Sequence, residues 1–203
     1  MCIRDSPGIM HCASLALGEM GLPIPDEATL RRFIGPPLWY SYTEFCGLTP
    51  EQAEEAVVRY RKHYRDGGFL ECSVYPGILP LLDDLRAAGV KLAVATAKPA
   101  KMARAVCESF GILERVDFLS GNREDEKGMG KRGLIETACA GLGVSPECAV
   151  MIGDTKYDRE GAREAGTAFL GAAYGYGAPG ELTGEGSLGE AASPDGLRSY
   201  LFL

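Results

Sequence analysis

Apolar residues in the first third of the chain recur at the spacing of amphipathic helices. Between Ile9 and Met20 they fall on one helical face, and a glycine ends the segment. Thr49 and Gln52 have the spacing of a capping box, which predicts the start of another helix with proline at its first position. Four helices are predicted here, over residues 9–20, 25–34, 38–46 and 50–66. Because no strand pattern interrupts them, residues 9–72 are predicted to form an all-helical block.

From residue 74 onward, short apolar runs alternate with helical segments. Strands are predicted over residues 91–96, 117–120, 149–152 and 167–170, with helices ending near residue 87 and over 100–110, 132–142 and 158–165. This alternation predicts an α/β fold with a doubly wound, mostly parallel sheet, and it predicts that strands 91–96 and 149–152 are buried on both faces. The polar stretch 121–130 is predicted to be a loop. The glycine-rich stretch up to Ser187 has little pattern and is also predicted to be loop, with a short helix after Ser193.

The predicted domain organisation follows from these two patterns. Residues 1–8 and 73–203 are predicted to form the α/β core, and residues 9–72 are an all-helical insertion within it. The first eight residues show no strand pattern.

Composition narrows the function classes. The 203 residues are 46% hydrophobic, enough for a substantial core, and the net charge of −7 with a pI near 5.0 argues against nucleic acid or an anionic membrane as partner. The seven cysteines are scattered and form no C-x-x-C pair, which favours reduced thiols and a cytoplasmic location. No apolar run is long enough to span a membrane, and no signal peptide is visible.

An acidic pair follows the third predicted strand. Gly153 permits a sharp turn there, and Asp154 and Asp158 come next. Ligands of open parallel sheets bind just beyond the carboxyl ends of the strands, so Asp154 is placed where functional residues are usually found. Two neighbouring acids repel unless a cation or a lysine lies between them, and carboxylate oxygens beside a phosphate are the ordinary setting of magnesium. The alternative is an aspartate that only caps the next helix.

A threonine hydroxyl and two lysines are also predicted to lie at a strand end or just before a helix. Thr96 ends the first predicted strand and is followed by Ala97 and Lys98, whose backbone N–H groups could hold a phosphate oxygen. Lys131 is predicted to lie just before a helix, where an ammonium can neutralise a phosphate or a carboxylate. The alternatives are a threonine that caps the following helix and a solvated lysine.

One glycine-rich segment matches a nucleotide-binding motif in spacing but not in context. Residues 128–133 match G-x-G-x-x-G, but the dinucleotide-binding motif requires a hydrophobic strand directly before it, and residues 123–127 are all charged. Arg132 also stands where a phosphate-binding P-loop needs Ser or Thr. We therefore do not predict a dinucleotide site.

The ordered set of these motifs resembles a known family. Thr96 after a strand, Lys131 before a helix, and Gly153–Asp158 after another strand resemble the second, third and fourth motifs of the haloacid dehalogenase-like hydrolases. The segments most similar to the phosphoglycolate phosphatase-like branch are Val74–Gly77, Ala95–Pro99 and Ile152–Asp154. In that branch a helical cap follows the first strand, so the resemblance implies that residues 9–72 are the cap and close over the site.

The resemblance implies a mechanism. An aspartate on the first strand attacks the phosphorus to form an aspartyl-phosphate, and a second aspartate two residues on acts as acid and base. Thr96, Lys131 and Mg²⁺ would spread the charge of the phosphoryl group. Asp154 would be a magnesium ligand, and Asp158 would orient Lys131 or a metal-bound water. The implied phosphate contacts are Thr96, Ala97, Lys98 and Lys131.

The first family motif, D-x-D-G-T, is absent from the chain. Residues 5–9 resemble the segment that follows this motif, so we expect both catalytic aspartates upstream of Met1, a sheet that lacks its central strand, and a nearly inactive 203-residue polypeptide. The expected substrate is a small phosphorylated metabolite, with phosphoglycolate first and nucleoside monophosphates or sugar phosphates next. A phosphomutase of the same fold and a non-catalytic phosphate-binding or regulatory protein remain alternatives. The oligomeric state is not predicted.

Overall fold

The computed structural model describes residues 2–122 and 129–202. The chain divides into two compact units, one of Ile3–Ser73 and one of Val74–Leu203 together with Met1–Cys2. The predicted division differs at its first boundary, because it assigned residues 3–8 to the α/β core. In the structure these residues belong to the helical unit, where the N–H of Gly8 donates a hydrogen bond to the carbonyl of Glu71 (2.9 Å).

The helical unit begins with a short strand and continues with four helices. Its elements are β1 (Ile3–Arg4), α1 (Ser6–Glu19), α2 (Glu27–Arg31), α3 (Leu38–Cys46) and α4 (Pro50–Arg65). The strand β1 was not predicted, and α1 begins three residues earlier than expected because a proline is tolerated in the first turn. The helix α2 ends before the predicted residue 34. The core of the unit packs the fully buried side chains of Leu17, Phe33 and Tyr42.

The capping box at Thr49 is confirmed. The N–H of Gln52 donates to Thr49 Oγ1 (3.3 Å), and the N–H of Thr49 donates to Gln52 Oε1 (3.1 Å). We therefore expect Thr49→Ala to lower the free energy of unfolding, measured by urea denaturation, by about 1 kcal/mol. Thr43→Ala in α3 is the control. Since the Thr43 hydroxyl only bonds carbonyls of its own helix, that change should stay within about 0.5 kcal/mol, and equal effects of the two changes would contradict the prediction.

The α/β unit alternates strands with helices. After β2 (Ser73–Val74), its strands are β3 (Ala93–Pro99), β4 (Phe118–Asn122), β5 (Val150–Gly153), β6 (Ala168–Ala172) and β7 (Ser187–Ala191). Its helices are α5 (Ile78–Ala87), α6 (Ala100–Ser109), α7 (Gly130–Leu142), α8 (Lys156–Ala165) and α9 (Arg198–Leu201). The strand β7 was not predicted, because Gly189 and Glu190 interrupt any apolar run. Within the described residues, no helix is both long and apolar enough to cross a membrane.

Two predicted features lie wholly or partly outside the described residues. The polar loop predicted over residues 121–130 includes residues 123–128, which are not described. The G-x-G-x-x-G match also begins there. From Gly130 onward it forms the first turn of α7, and the last described strand before it ends at Asn122.

Among the described residues, the strand pairs formed by β3 to β7 are parallel. β3 pairs with β4, and β6 pairs with β5 on one side and β7 on the other. The predicted α/β fold with parallel strands is therefore confirmed. In the part of the chain that the structure describes, β3 and β5 are not paired with each other.

The predicted burial of two strands is wrong. β3 is half-buried along most of its length, and Val150 in β5 is 42% exposed, whereas Phe169 and Leu170 in β6 are fully buried. The difference follows from neighbours, since β6 has a strand on each side while β3 and β5 each have one in the described sheets. Short apolar runs in the sequence cannot distinguish these situations.

Candidate active site

Two buried carboxylates follow β5. Asp154 is 4% exposed directly after the strand, and Asp158 is 6% exposed in the first turn of α8. The last residue of β5, Gly153, must be a glycine, because a Cβ there would overlap the Asp158 side chain. The strand, the turn and the helix start therefore hold both acids at one place.

Asp158 is neutralised by a lysine. Lys131 Nζ lies 2.7 Å from Asp158 Oδ1, while Oδ2 accepts hydrogen bonds from the N–H of Asp154 (3.1 Å) and from the N–H and hydroxyl of Thr155 (3.1 and 3.0 Å). Burial alone would raise the pKa of Asp158, but the Lys131 ammonium and these hydrogen bonds hold that pKa below its usual value. The carboxylate is therefore ionised and fixed in orientation.

Lys131 lies within a helix and not before it. It is the second residue of α7, which begins at Gly130. The helix α8 makes room for it at Gly161, where a Cβ would come within 2.5 Å of Lys131 Cγ. The lysine stem thus packs against α8 while its ammonium reaches the carboxylate at the start of the same helix.

Asp154 has a different environment. Its Oδ2 accepts a hydrogen bond from the N–H of Tyr176 (2.9 Å). Burial is the largest cause of a raised pKa at Asp154, and the charge of Asp158 adds to it, while the Tyr176 N–H acts in the opposite direction. A buried carboxylate with a raised pKa is a group whose ionised form a nearby cation would stabilise.

The loop after β6 packs directly on Asp154, a role that the sequence does not predict. A Cβ at Gly175 would overlap the Asp154 side chain, and one at Gly177 would overlap its carbonyl oxygen. The available signal was the glycine at every second position, Gly175 and Gly177, directly after a strand. Glycine at such positions often marks a close approach of backbone to another group.

Thr96 lies near the end of β3 and does not cap the next helix. Its Oγ1 accepts a hydrogen bond from the N–H of Lys98 (3.2 Å), and Pro99 is the residue that precedes α6. Ala97 is exposed and Lys98 is half-buried. In the described residues no hydrogen bond joins Thr96 to Lys131 or to either acid. The structure therefore joins Lys131 directly to Asp158, and it brings α7, which carries Lys131, against β3.

The two acids differ in how well they fit a magnesium site. No cluster of three His, Cys, Asp or Glu side chains with metal-binding geometry occurs among the described residues. Mg²⁺ is commonly held by one or two carboxylates and completed by water and substrate phosphate. Asp154, a buried hard-oxygen donor with a raised pKa, fits that role in chemistry, whereas Asp158 is already paired with Lys131.

The lysine–aspartate pair and the second buried acid lie beyond the carboxyl end of a parallel strand, where open α/β sheets bind their ligands. The chain belongs to the haloacid dehalogenase-like hydrolases, since the sequence model of that family matches residues 3–172. The family predicted from the motifs is confirmed.

Three curated relatives differ in the activity that their names describe. Tyrosine-protein kinase PtkA of Mycobacterium tuberculosis is 38% identical over 170 residues, which are 84% of this chain and only 58% of that protein. A 5'-nucleotidase of Pseudomonas aeruginosa is 36% identical, covering 86% of this chain and 79% of that protein. A phosphoglycolate phosphatase of Rhodospirillum rubrum is 30% identical, covering 86% and 76%.

A solved structure supports the fold. The haloacid dehalogenase-like family hydrolase SP0104 from Streptococcus pneumoniae superposes with a TM-score of 0.88 at 31% identity, covering 98% of this chain and 92% of that chain.

Proposed function

We propose that this chain carries the phosphate-binding and metal-binding part of a magnesium-dependent phosphatase that hydrolyses a small phosphomonoester through an aspartyl-phosphate. The observation that supports this most strongly is the buried Lys131–Asp158 ion pair beside the second buried acid, Asp154. Family membership and relatives named phosphatase and nucleotidase add independent support. The free cysteines are consistent with the proposed cytoplasmic location.

Each residue of the site has a proposed role. Asp158 holds the Lys131 ammonium in place, and that ammonium faces the negative charge of the transferring phosphoryl group. The Thr96 hydroxyl and the backbone and side chain of Ala97–Lys98 bind phosphate oxygens. Asp154 would hold Mg²⁺, whose charge would offset that of the phosphate.

The nucleophile is proposed to come from a strand between β3 and β5. The 203 residues contain no D-x-D sequence, and these two strands are half-exposed and unpaired with each other in the described residues. A parallel strand inserted there would end at the same edge of the sheet as Asp154. A D-x-D-G-T motif at its end would supply the attacking carboxylate and the acid–base group.

A reconstitution experiment tests this function. We expect the 203-residue polypeptide to show almost no Mg²⁺-dependent hydrolysis of p-nitrophenyl phosphate, and we expect a version preceded by an extended apolar segment ending in D-x-D-G-T to hydrolyse it. The control carries N-x-D-G-T, which keeps the strand and removes the nucleophile. Hydrolysis at normal enzyme rates by the 203 residues alone would refute the proposed source of the nucleophile.

The substrate and the acceptor are tested on the reconstituted enzyme. Phosphoglycolate is the first substrate to test and nucleoside monophosphates are next, in line with the names of two relatives. Transfer between hexose phosphate positions would instead indicate a phosphomutase. Transfer from ATP to a tyrosine peptide would match the relative named a tyrosine-protein kinase. A folded, phosphate-binding protein without any turnover would indicate a binding or regulatory function.

A further inference from the structure

The end of β3 contains a bulge opposite β4. Thr96 pairs with Gly121 and Pro99 pairs with Asn122, so β3 advances three residues while β4 advances one. Ala97 and Lys98 are therefore outside the regular register. Bulges of this kind are common beside active sites, where they redirect the chain. Two of the proposed phosphate contacts thus depend on a segment that the strand ladder does not hold.

The side chain of Asn122 connects this bulge to the start of α7. Asn122 Nδ2 donates a hydrogen bond to the carbonyl of Ala97 (2.7 Å), and Asn122 Oδ1 accepts one from the N–H of Met129 (3.2 Å). Met129 directly precedes α7, and Lys131 is the second residue of that helix. The carboxamide therefore joins the backbone that carries the proposed phosphate contacts to the helix that carries the lysine.

The neighbouring glycine brings β4 close enough for this connection. A Cβ at Gly121 would lie 2.8 Å from Ala100 Cα and 3.0 Å from the carbonyl oxygen of Lys98. Any larger residue would push the end of β4 away from the bulge. Gly121 thus allows the approach, and Asn122 makes the hydrogen bonds.

We propose that Asn122 is a positioning residue that holds the Ala97–Lys98 bulge and the Lys131 helix in the arrangement that receives a phosphate group. The inference rests on the proposed function. An amide has both a donor and an acceptor, and both are used here, whereas an ionised carboxylate of the same size can only accept. At metal sites, removing the groups that orient the ligating residues commonly costs about 10–100-fold in affinity or activity, and we expect a comparable effect here.

The same pair of strands offers a matched control at its other end. Asp117, immediately before β4, accepts a hydrogen bond from the N–H of Leu92 through Oδ2 (2.8 Å). This hydrogen bond also connects the two strands, but it lies at their N-terminal ends, whereas Asn122 lies at the C-terminal end of β4. Removing it tests whether any loss of a side-chain connection between these strands changes phosphate binding.

The experiment measures the affinity of the 203-residue chain for inorganic phosphate in the presence of Mg²⁺ by titration calorimetry, together with thermal midpoints. Asn122→Ala removes both hydrogen bonds, while Asn122→Asp can keep the bond from Met129 but cannot donate to Ala97. We expect both variants to bind phosphate roughly tenfold more weakly or worse. Asp117→Ala should bind phosphate as tightly as wild type, and the loss of its hydrogen bond should appear as a lower thermal midpoint.

The outcomes separate the two proposals. If wild type binds phosphate and Lys131→Met does not, but both Asn122 variants bind like wild type, the positioning role is wrong and the proposed function stands. An equal loss of phosphate affinity in Asp117→Ala also overturns the positioning role, since the effect would then come from general destabilisation. If wild type itself does not bind phosphate, the proposed function fails and this inference fails with it.

Discussion

Replacing Lys131 with methionine is expected to lower the free energy of unfolding by about 3–5 kcal/mol, because a buried carboxylate loses its only close cation within the described residues. The Asp158 side chain is 8% exposed and its Oδ1 lies 2.7 Å from the lysine Nζ. Methionine keeps most of the apolar stem that packs against Gly161, so the change mainly removes charge. Urea denaturation of the 203-residue chain measures the effect, and phosphate binding should be lost in the same variant.

Arg132→Met is the matched control for this change. Arg132 is the next residue of α7 and pairs with Glu136 (2.8 Å), but its side chain is 59% exposed. An exposed pair of this kind contributes at most about 1 kcal/mol. The double variant Lys131→Met, Asp158→Asn should recover part of the stability, because the uncompensated charge is gone. Equal losses in the Lys131 and Arg132 variants would mean that the buried pair does not stabilise the unit.

The features that the sequence predicted well depend on local signals. The helix α3 was predicted with the bounds that the structure has, because Gly47 adopts the left-handed conformation that ends it. The capping box at Thr49 gave the start of α4 for the same kind of reason. Such signals act within a few residues and are visible in a single sequence. The family motifs also consist of short segments, which made the acids and Lys131 recognisable.

The features that the sequence did not predict depend on distant contacts. The half-exposure of β3 and β5 depends on which strands pair with them. The role of the loop at Gly175 depends on its approach to Asp154, which is 21 residues away in sequence. Asn122 gave no signal either, because its partner Ala97 is far along the chain and its hydrogen bonds use backbone groups. Residue types alone do not specify such contacts.

The second large effect is expected at this loop, where Gly175→Ala should disturb Asp154. The added Cβ would overlap the Cβ and Oδ2 of Asp154, whose carboxylate is held by the N–H of Tyr176. Either the loop or the carboxylate must move. Overpacking of this kind costs about 1–3 kcal/mol, and the displaced carboxylate should also weaken Mg²⁺-dependent phosphate binding. Urea denaturation and titration calorimetry of the same variant measure the two effects.

Gly18→Ala provides the same chemical change without the overlap. Gly18 lies inside α1, and a Cβ there would meet only Ile24 Cδ1 within 4 Å, at an ordinary distance of 3.8 Å. Because alanine has a higher helix propensity than glycine, this variant should be as stable as wild type or more stable by up to about 1 kcal/mol. Its phosphate affinity should not change. If Gly175→Ala behaves like Gly18→Ala in both measurements, the loop does not fix Asp154, and the orientation of that carboxylate must come from β5 and the start of α8 alone.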